Sequence, residues 1–194
     1  MARTYGSRAE ITGPLVREAA ARLFARHGYA AVSMRQIAAA VGVQVGTIYS
    51  YTPDKQSLLA DLLRGHMDEV LTRWHDPVDL DPLARLDLFV RGHIATTLEH
   101  QELVFLSYME LRNLSAENFQ AISALRHRYE DQLELILRDG HAAGVMTISD
   151  TRLATLALIA MLTGVANWYR DGGRIDREHL ARIYCDLARG AVGA

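Results

Sequence analysis

The stretch VGVQVGTIYSYTPDK, residues 41–55, constrains this chain more than any other. Ser33, followed three residues later by Gln36, forms a capping box that opens a helix through Ala40. Gly42 ends that helix, and Gly46–Tyr51 reads as a short helix of its own. A glycine accepts the turn between them that a β-branched residue could not. Two short helices joined this tightly must share a core, for which Ile37, Ala38, Val41, Val43, Ile48 and Tyr49 are the candidates, Ala38 being small enough for close approach. That division leaves Gln44, Val45, Gly46, Thr47, Ser50 and Tyr51 facing outward.

The same punctuation continues along the chain. A first helix is expected from about Ile11 to His27, with Leu15, Ala19 and Leu23 beside Val16, Ala20 and Phe24, closed by Gly28. Asp54 is placed to cap a fourth helix that reaches about Trp74, and Asp81-Pro82 opens a fifth. A sixth holds Phe105, Tyr108 and Met109. Ser115 caps a long seventh helix ending at Gly144. An eighth starts near Asp150 and stops at Gly172-Gly173. Asp176 caps a ninth, on which Leu180, Ile183, Tyr184, Leu187 and Ala191 form an apolar seam suited to dimerisation. With four prolines in 194 residues and no strand-like alternation, the fold class is all-α. About nine helices divide into residues 1–54, a three-helix unit, and 55–194, a larger helical domain for ligand binding and dimerisation.

Charge is distributed unevenly. Residues 1–55 carry seven basic and three acidic groups, net +4, so the remainder carries −6 of the overall −2. A basic end on an acidic body points to a polyanion met by that end alone. No secretory signal is visible. The uncharged run Leu153–Tyr169 is interrupted by Thr155, Thr163, Gly164 and Asn167 and falls short of the roughly 20 apolar residues of a membrane span. It reads as a helix buried on nearly all sides, and a cytoplasmic location with no membrane partner is expected. One cysteine, Cys185, excludes a disulfide framework and a Cys-based zinc site; it reads as inert packing. His66 and His75, or His93 and His100, lack the spacing of metal ligands on one helix face, so neither a metal nor a cofactor is expected.

Two short helices about a tight turn are the helix-turn-helix arrangement, whose second helix enters the major groove of double-stranded DNA. Gly46 lets the backbone approach the duplex, Gln44 and Thr47 can bond base edges or phosphates, and Val45 can touch a thymine methyl. Lys55, in the first turn of the next helix, has the charge to hold a phosphate beside that helix's N–H groups.

The segment AARLFARHGYAAVSMRQIAAAVGVQVGTIYSYTPDKQSLL resembles the N-terminal domain of the TetR/AcrR family of bacterial transcription regulators. Phe24, Gly28-Tyr29, Ser33, Ile37-Ala38, Val41-Gly42-Val43, Gly46-Thr47-Ile48-Tyr49, Tyr51, Lys55 and Leu58 carry the resemblance. It implies a homodimer on a palindromic operator and a C-terminal domain whose small effector releases the DNA. By position it implies phosphate contacts from Tyr49, Tyr51, Lys55 and Ser33. Gln44, Val45 and Thr47 would face bases, with Arg35 beside them. Gln44, Val45 and Thr52 depart from the family's common residues, which leaves the operator sequence open.

The segments SYMELRNLSAENFQAISALRHRYE and ALIAMLTGVANWYRDGGRI are similar to C-terminal domains of TetR-type regulators linked to fatty-acid, steroid or other acyl-CoA metabolism. A helical effector pocket needs apolar walls with a few polar anchors. Phe105, Tyr108, Met109, Tyr129, Met161 and Trp168 are candidate walls, and Arg112 could meet an anionic group. The expected function is a repressor released by a small hydrophobic or acyl-CoA-like effector. A helical enzyme or ligand carrier without DNA binding is the alternative. Glu110, His93 or His127 could serve acid–base chemistry, but no nucleophile–base–orienter set or phosphate loop accompanies them, so an enzyme is not expected.

Overall fold

The computed structural model describes residues 6–194, with side chains from Thr12 onward. Arg3, and the side chains of Arg8 and Glu10, counted above in the basic end, lie outside the described residues. The elements are α1 (Gly6–His27), α2 (Met34–Val41), α3 (Val45–Ile48), α4 (Lys55–Arg73), α5 (Pro82–Glu99) and α6 (Gln101–Met109), then a 3-10 turn (Leu111–Asn113). After it come α7 (Ala116–Ala142), α8 (Thr151–Thr163), α9 (Val165–Trp168) and α10 (Arg177–Ala191). Among the described residues there is no strand. The expected eighth helix is present but broken at Gly164 into α8 and the single turn α9. The first helix begins five residues before Ile11 and carries Pro14 within it.

Side chains set the helix starts as the sequence implies. Ser33 and Gln36 form the reciprocal capping box at α2. Asp54, Asp81, Ser115, Asp150 and Asp176 each accept a backbone N–H from the first turn of α4, α5, α7, α8 and α10. Each cap satisfies a donor that the helix itself cannot.

Two hydrophobic cores result. The first packs α1–α3 around Phe24, Ile37 and Ile48, and it recruits Leu58, Leu59, Leu62 and Leu63 of α4, Leu106 of α6 and Ile122 of α7. The second centres on Leu86, Phe89, Leu133, Ile136 and Leu162 and takes in Met67 of α4. Helix α4 therefore belongs to both cores. Residues of α4, α6 and α7 join α1–α3 in the first core, so the three-helix unit is packed into the rest of the chain.

Arg85 fastens the second core from below. It is buried, makes a two-pronged bond to Asp76 (2.9 and 2.6 Å) and reaches Asp139 on α7 at 2.7 Å. These pairs pin the α4–α5 connection to α7.

Candidate DNA interface and effector cavity

The α2–α3 turn is built locally. Gly42 adopts a left-handed φ of 75° and its N–H and that of Val43 return to Ala39 and Ala38 carbonyls, so these acceptors at the end of α2 are satisfied. Helix α3 is one turn, Val45–Ile48, shorter than the expected Gly46–Tyr51. The chain continues as bonded turns, Ser50 N–H to Thr47 and Tyr51 N–H to Ile48. Ile48 is fully buried and anchors the turn, whereas Tyr49 is half exposed and lies outside the core to which the sequence assigned it. Arg35, Gln44, Gly46, Thr47, Tyr49 and Ser50 form the exposed surface. Val45 is half-buried and packs on the first core, so its methyls are not the outward contact that its place in the sequence suggested. Tyr51 leans back on α1, where a Cβ on Gly13 would stand 3.5 Å from its ring.

Three expected DNA contacts, two of them phosphate ligands, are occupied within the chain. The Ser33 hydroxyl accepts the Gln36 N–H and donates to the Gln36 side chain at 2.8 Å. The Ser50 hydroxyl donates to the Thr47 carbonyl at 2.7 Å. Most notably, Lys55 folds under the α1–α2 turn. Its ammonium donates to the carbonyls of Tyr29 and Val32, both at 2.8 Å, and of Ala30 at 3.4 Å, and it lies 4.3 Å over the Tyr29 ring. An ammonium has three donors, and all three are engaged, so in this DNA-free structure Lys55 clamps the turn.

The same turn is gripped from the other side. Glu110, buried just beyond α6, accepts the Tyr29 N–H at 3.1 Å and is held by the Asn113 side chain. Gln56 on α4 donates to the Asn113 carbonyl at 2.7 Å and accepts the Ser115 N–H at 3.1 Å. Tyr29 is thus held by α4 through its carbonyl and by α6 through its N–H.

Further along α4 and α6 lies a cavity of about 60 Å³, partly open to solvent, closed by α5, α7 and α8. Its walls include Met67, Val70, Val104 and Ile159, with Tyr108 and Tyr129 among them. A hydrogen-bond chain crosses it: Tyr108 hydroxyl to Thr163 (3.3 Å), Thr163 to His93 Nε2 (3.0 Å), and His93 Nδ1 to the Tyr129 hydroxyl (2.9 Å). Burial holds the His93 imidazole down to about 4, with His66 adding to the effect. Burial raises the Tyr129 phenol, so both stay neutral. Arg126 supplies the positive charge, lying 4.9 Å over the Tyr108 ring and donating to the Ser107 carbonyl at 2.9 Å. A groove lined by Phe105 and Met109 adjoins this cavity through Val104, Tyr108 and Thr163.

Residues 16–62 match the family described as bacterial regulatory proteins, tetR family, and residues 79–192 match the tetracyclin repressor-like C-terminal domain. The chain is a TetR-family transcriptional regulator. It is 28% identical over 179 residues to the HTH-type transcriptional repressor KstR2 of Mycobacterium tuberculosis, covering 90% of each chain. It is 26% identical over 174 residues to the fatty acid metabolism regulator protein of Bacillus subtilis, covering 88% of this chain and 90% of that one. A crystal structure of a bacterial regulatory protein in the tetR family from Rhodococcus RHA1 superimposes with a TM-score of 0.88 at 27% identity, over 93% of this chain and 96% of that one. TetR regulators bind operator DNA as dimers and are not enzymes, which sets the enzyme or carrier alternative aside.

Within this TetR fold the effector residues read from sequence divide. Tyr108 and Tyr129 face the central cavity, and Phe105 and Met109 face the adjoining groove. Arg112 stands exposed on the 3-10 turn and lines neither space; its place is taken by Arg126, one long helix later. Met161 packs half-buried on the second core, and Trp168 is half exposed, edge-on to Tyr169. Spacing along one helix does not bring the histidines together as cavity groups. His66 on α4 and His93 on α5 meet the cavity from different helices.

The eighth-helix expectation also needs correction. The window Thr151–Trp168, of mean hydropathy 1.2, has only 33% of its residues buried in the single chain. Leu153 is 64% exposed and Leu156 42%, and on α10 Leu187 is 50% exposed while Leu180 and Cys185 turn inward onto the core. The Cys185 thiol, buried and near Asp87, is pushed up to about 11, which suits packing rather than reactivity.

Proposed function

We propose that this regulator is a repressor that binds a palindromic operator as a homodimer and leaves it when an acyl-CoA or similar hydrophobic effector fills the central cavity. Gln44 and Thr47 read base edges, Gly46 admits the backbone, and Tyr49, Tyr51 and Arg35 meet phosphates. Lys55 holds the α1–α2 turn. The exposed leucines of α8 and α10 form the contact between subunits, because an apolar stripe of this size on a single chain ordinarily marks an interface. Such a regulator works where the DNA is, in the cytoplasm. The name of KstR2 supports repression and that of the fatty acid metabolism regulator a lipid-linked effector, as does a mostly apolar cavity that carries one guanidinium, Arg126, and one carboxylate, Glu130.

One observation carries the reading. Helices α4 and α6 wall the cavity with Met67 and Val104, and they hold Tyr29 through Lys55 and Glu110. A ligand that spreads these helices must move the α1–α2 turn and the recognition helix beyond it. Two recognition helices need a separation of roughly 34–36 Å, or a multiple, to enter successive grooves, so a small shift in each subunit unseats the dimer. The effect requires the ligand to favour the DNA-incompetent state.

Dodecanoyl-CoA and DNA from upstream of the coding region provide the test. Titration calorimetry with and without the DNA should show weaker ligand binding when operator is present, by the same factor by which ligand weakens DNA binding. Equal ligand affinity in both cases excludes this compound as the inducer, however tightly it binds.

A further inference from the structure

A residue of the effector cavity's lining carries a polar atom that nothing among the described residues satisfies. His66, on α4, is 5% exposed, and its Nδ1 is buried without a hydrogen-bond partner. Buried side-chain nitrogens nearly always have partners, because a bare one bears the full cost of leaving water. The neighbouring His93 shows the contrast, with Tyr129 on one ring nitrogen and Thr163 on the other. His66 does not share the bond of His100 either. The two rings stand edge-on, 6.2 Å between centroids, and His100 Nε2 is bound to Glu69. His66 lines the cavity among Thr97, Val104 and Ser107, and a ligand that displaces these neighbours would meet its ring.

The charge state narrows what that molecule offers. Burial, reinforced by His100, pushes the His66 imidazole down to about 4. Near neutral pH it is uncharged, and a neutral imidazole can place its one proton on Nδ1 and donate it. Such a donor suits an uncharged acceptor. An anion at the ring would lose hydration without meeting a charge on the imidazole itself. The guanidinium of the cavity, Arg126, lies with Tyr108 and Ser107.

We propose that His66 is the specificity residue of the effector cavity, donating from Nδ1 to the neutral thioester carbonyl oxygen of the bound ligand. The assignment rests on the effector reading above and deepens it. It also gives the ligand a direct hold on α4, about three turns from Lys55 on the same helix.

Dodecanoyl-CoA and its thioether analogue dodecyl-CoA isolate this contact, since they differ only in the carbonyl. Calorimetry on the full chain should give the thioester about tenfold tighter binding, the size of one buried hydrogen bond. His66→Leu should bind the two compounds alike, with the thioether held at least as well as by the natural protein. His66→Asn, whose amide places a donor near the position of Nδ1, should keep the preference. Undiminished preference in His66→Leu, or no preference in the natural protein, overturns the assignment while leaving the acyl-CoA reading in place. Failure of the natural protein to bind either compound overturns both. Ligand-free His66→Leu should melt no lower than the natural protein, because it removes an unpaired buried nitrogen; a lower melting point counts against the nitrogen being unpaired.

Discussion

Replacing Lys55 by methionine tests whether this lysine belongs to the fold or to the DNA. The substitution keeps most of the aliphatic stem and removes the ammonium. Two bonds of 2.8 Å and a longer one of 3.4 Å are lost, together with the contact over the Tyr29 ring. Bonds from a charged donor contribute about 1.5 kcal/mol or more each, and the ring contact about 0.5 kcal/mol. Lys55 is only half-buried, and the exposed carbonyls can be rehydrated, so a total of about 2–3 kcal/mol is reasonable. For a chain of this size that corresponds to a fall in Tm of about 5–10 °C at fixed protein concentration. The salt dependence of operator binding should stay as it was, because no phosphate contact is removed. Arg35→Met, by contrast, should flatten the slope of log affinity against log salt by about one unit with little effect on Tm. The decisive measurements are a calorimetric melt and operator affinity from 50 to 200 mM salt. If Lys55→Met leaves Tm unchanged and lowers the slope by about one unit, the lysine leaves the turn to hold a phosphate and the clamp is refuted.

Three further outcomes follow from the geometry. Leu153→Glu with Leu187→Glu should yield monomer in sedimentation, since both side chains are at least half exposed on the apolar α8–α10 face; a persistent dimer would place the interface elsewhere. Stability should be full above about pH 6.5 and decline as the pH falls toward about 4, because His66 and His93 drop from 6.5 to about 4 in the folded chain. The unfolded chain binds more protons in that window, so each histidine costs up to about 1.4 kcal/mol per pH unit, and equal urea midpoints at pH 7 and pH 5 would show that the rings are not held neutral. Gly140→Ala should destabilise by about 1–3 kcal/mol, because the added Cβ would sit 2.4 Å from the sulfur of the buried Met146; an unchanged denaturation midpoint would mean that the methionine repacks freely.

The sequence by itself determined what is decided within a few residues. The capping box of Ser33 and Gln36, the aspartate caps and the turn at Gly42 all depend on partners three or four positions away, so spacing alone exposes them. The helix starts followed from such signals, and the family from the resemblance of residues 20–59. Tertiary structure decided what depends on partners far along the chain. Lys55 clamps carbonyls 23 to 26 residues earlier, and Glu110 reaches a Tyr29 N–H 81 residues away; no local pattern records either bond. The same holds for the cavity, where His66, His93 and Arg126 converge from three helices while Arg112, an equally plausible cation in sequence, points to solvent. Hydropathy reported that Thr151–Trp168 is apolar, but not which neighbour covers it. Apolar character is a property of the residues, whereas burial is a property of the assembly, and a single chain buries only 33% of that window.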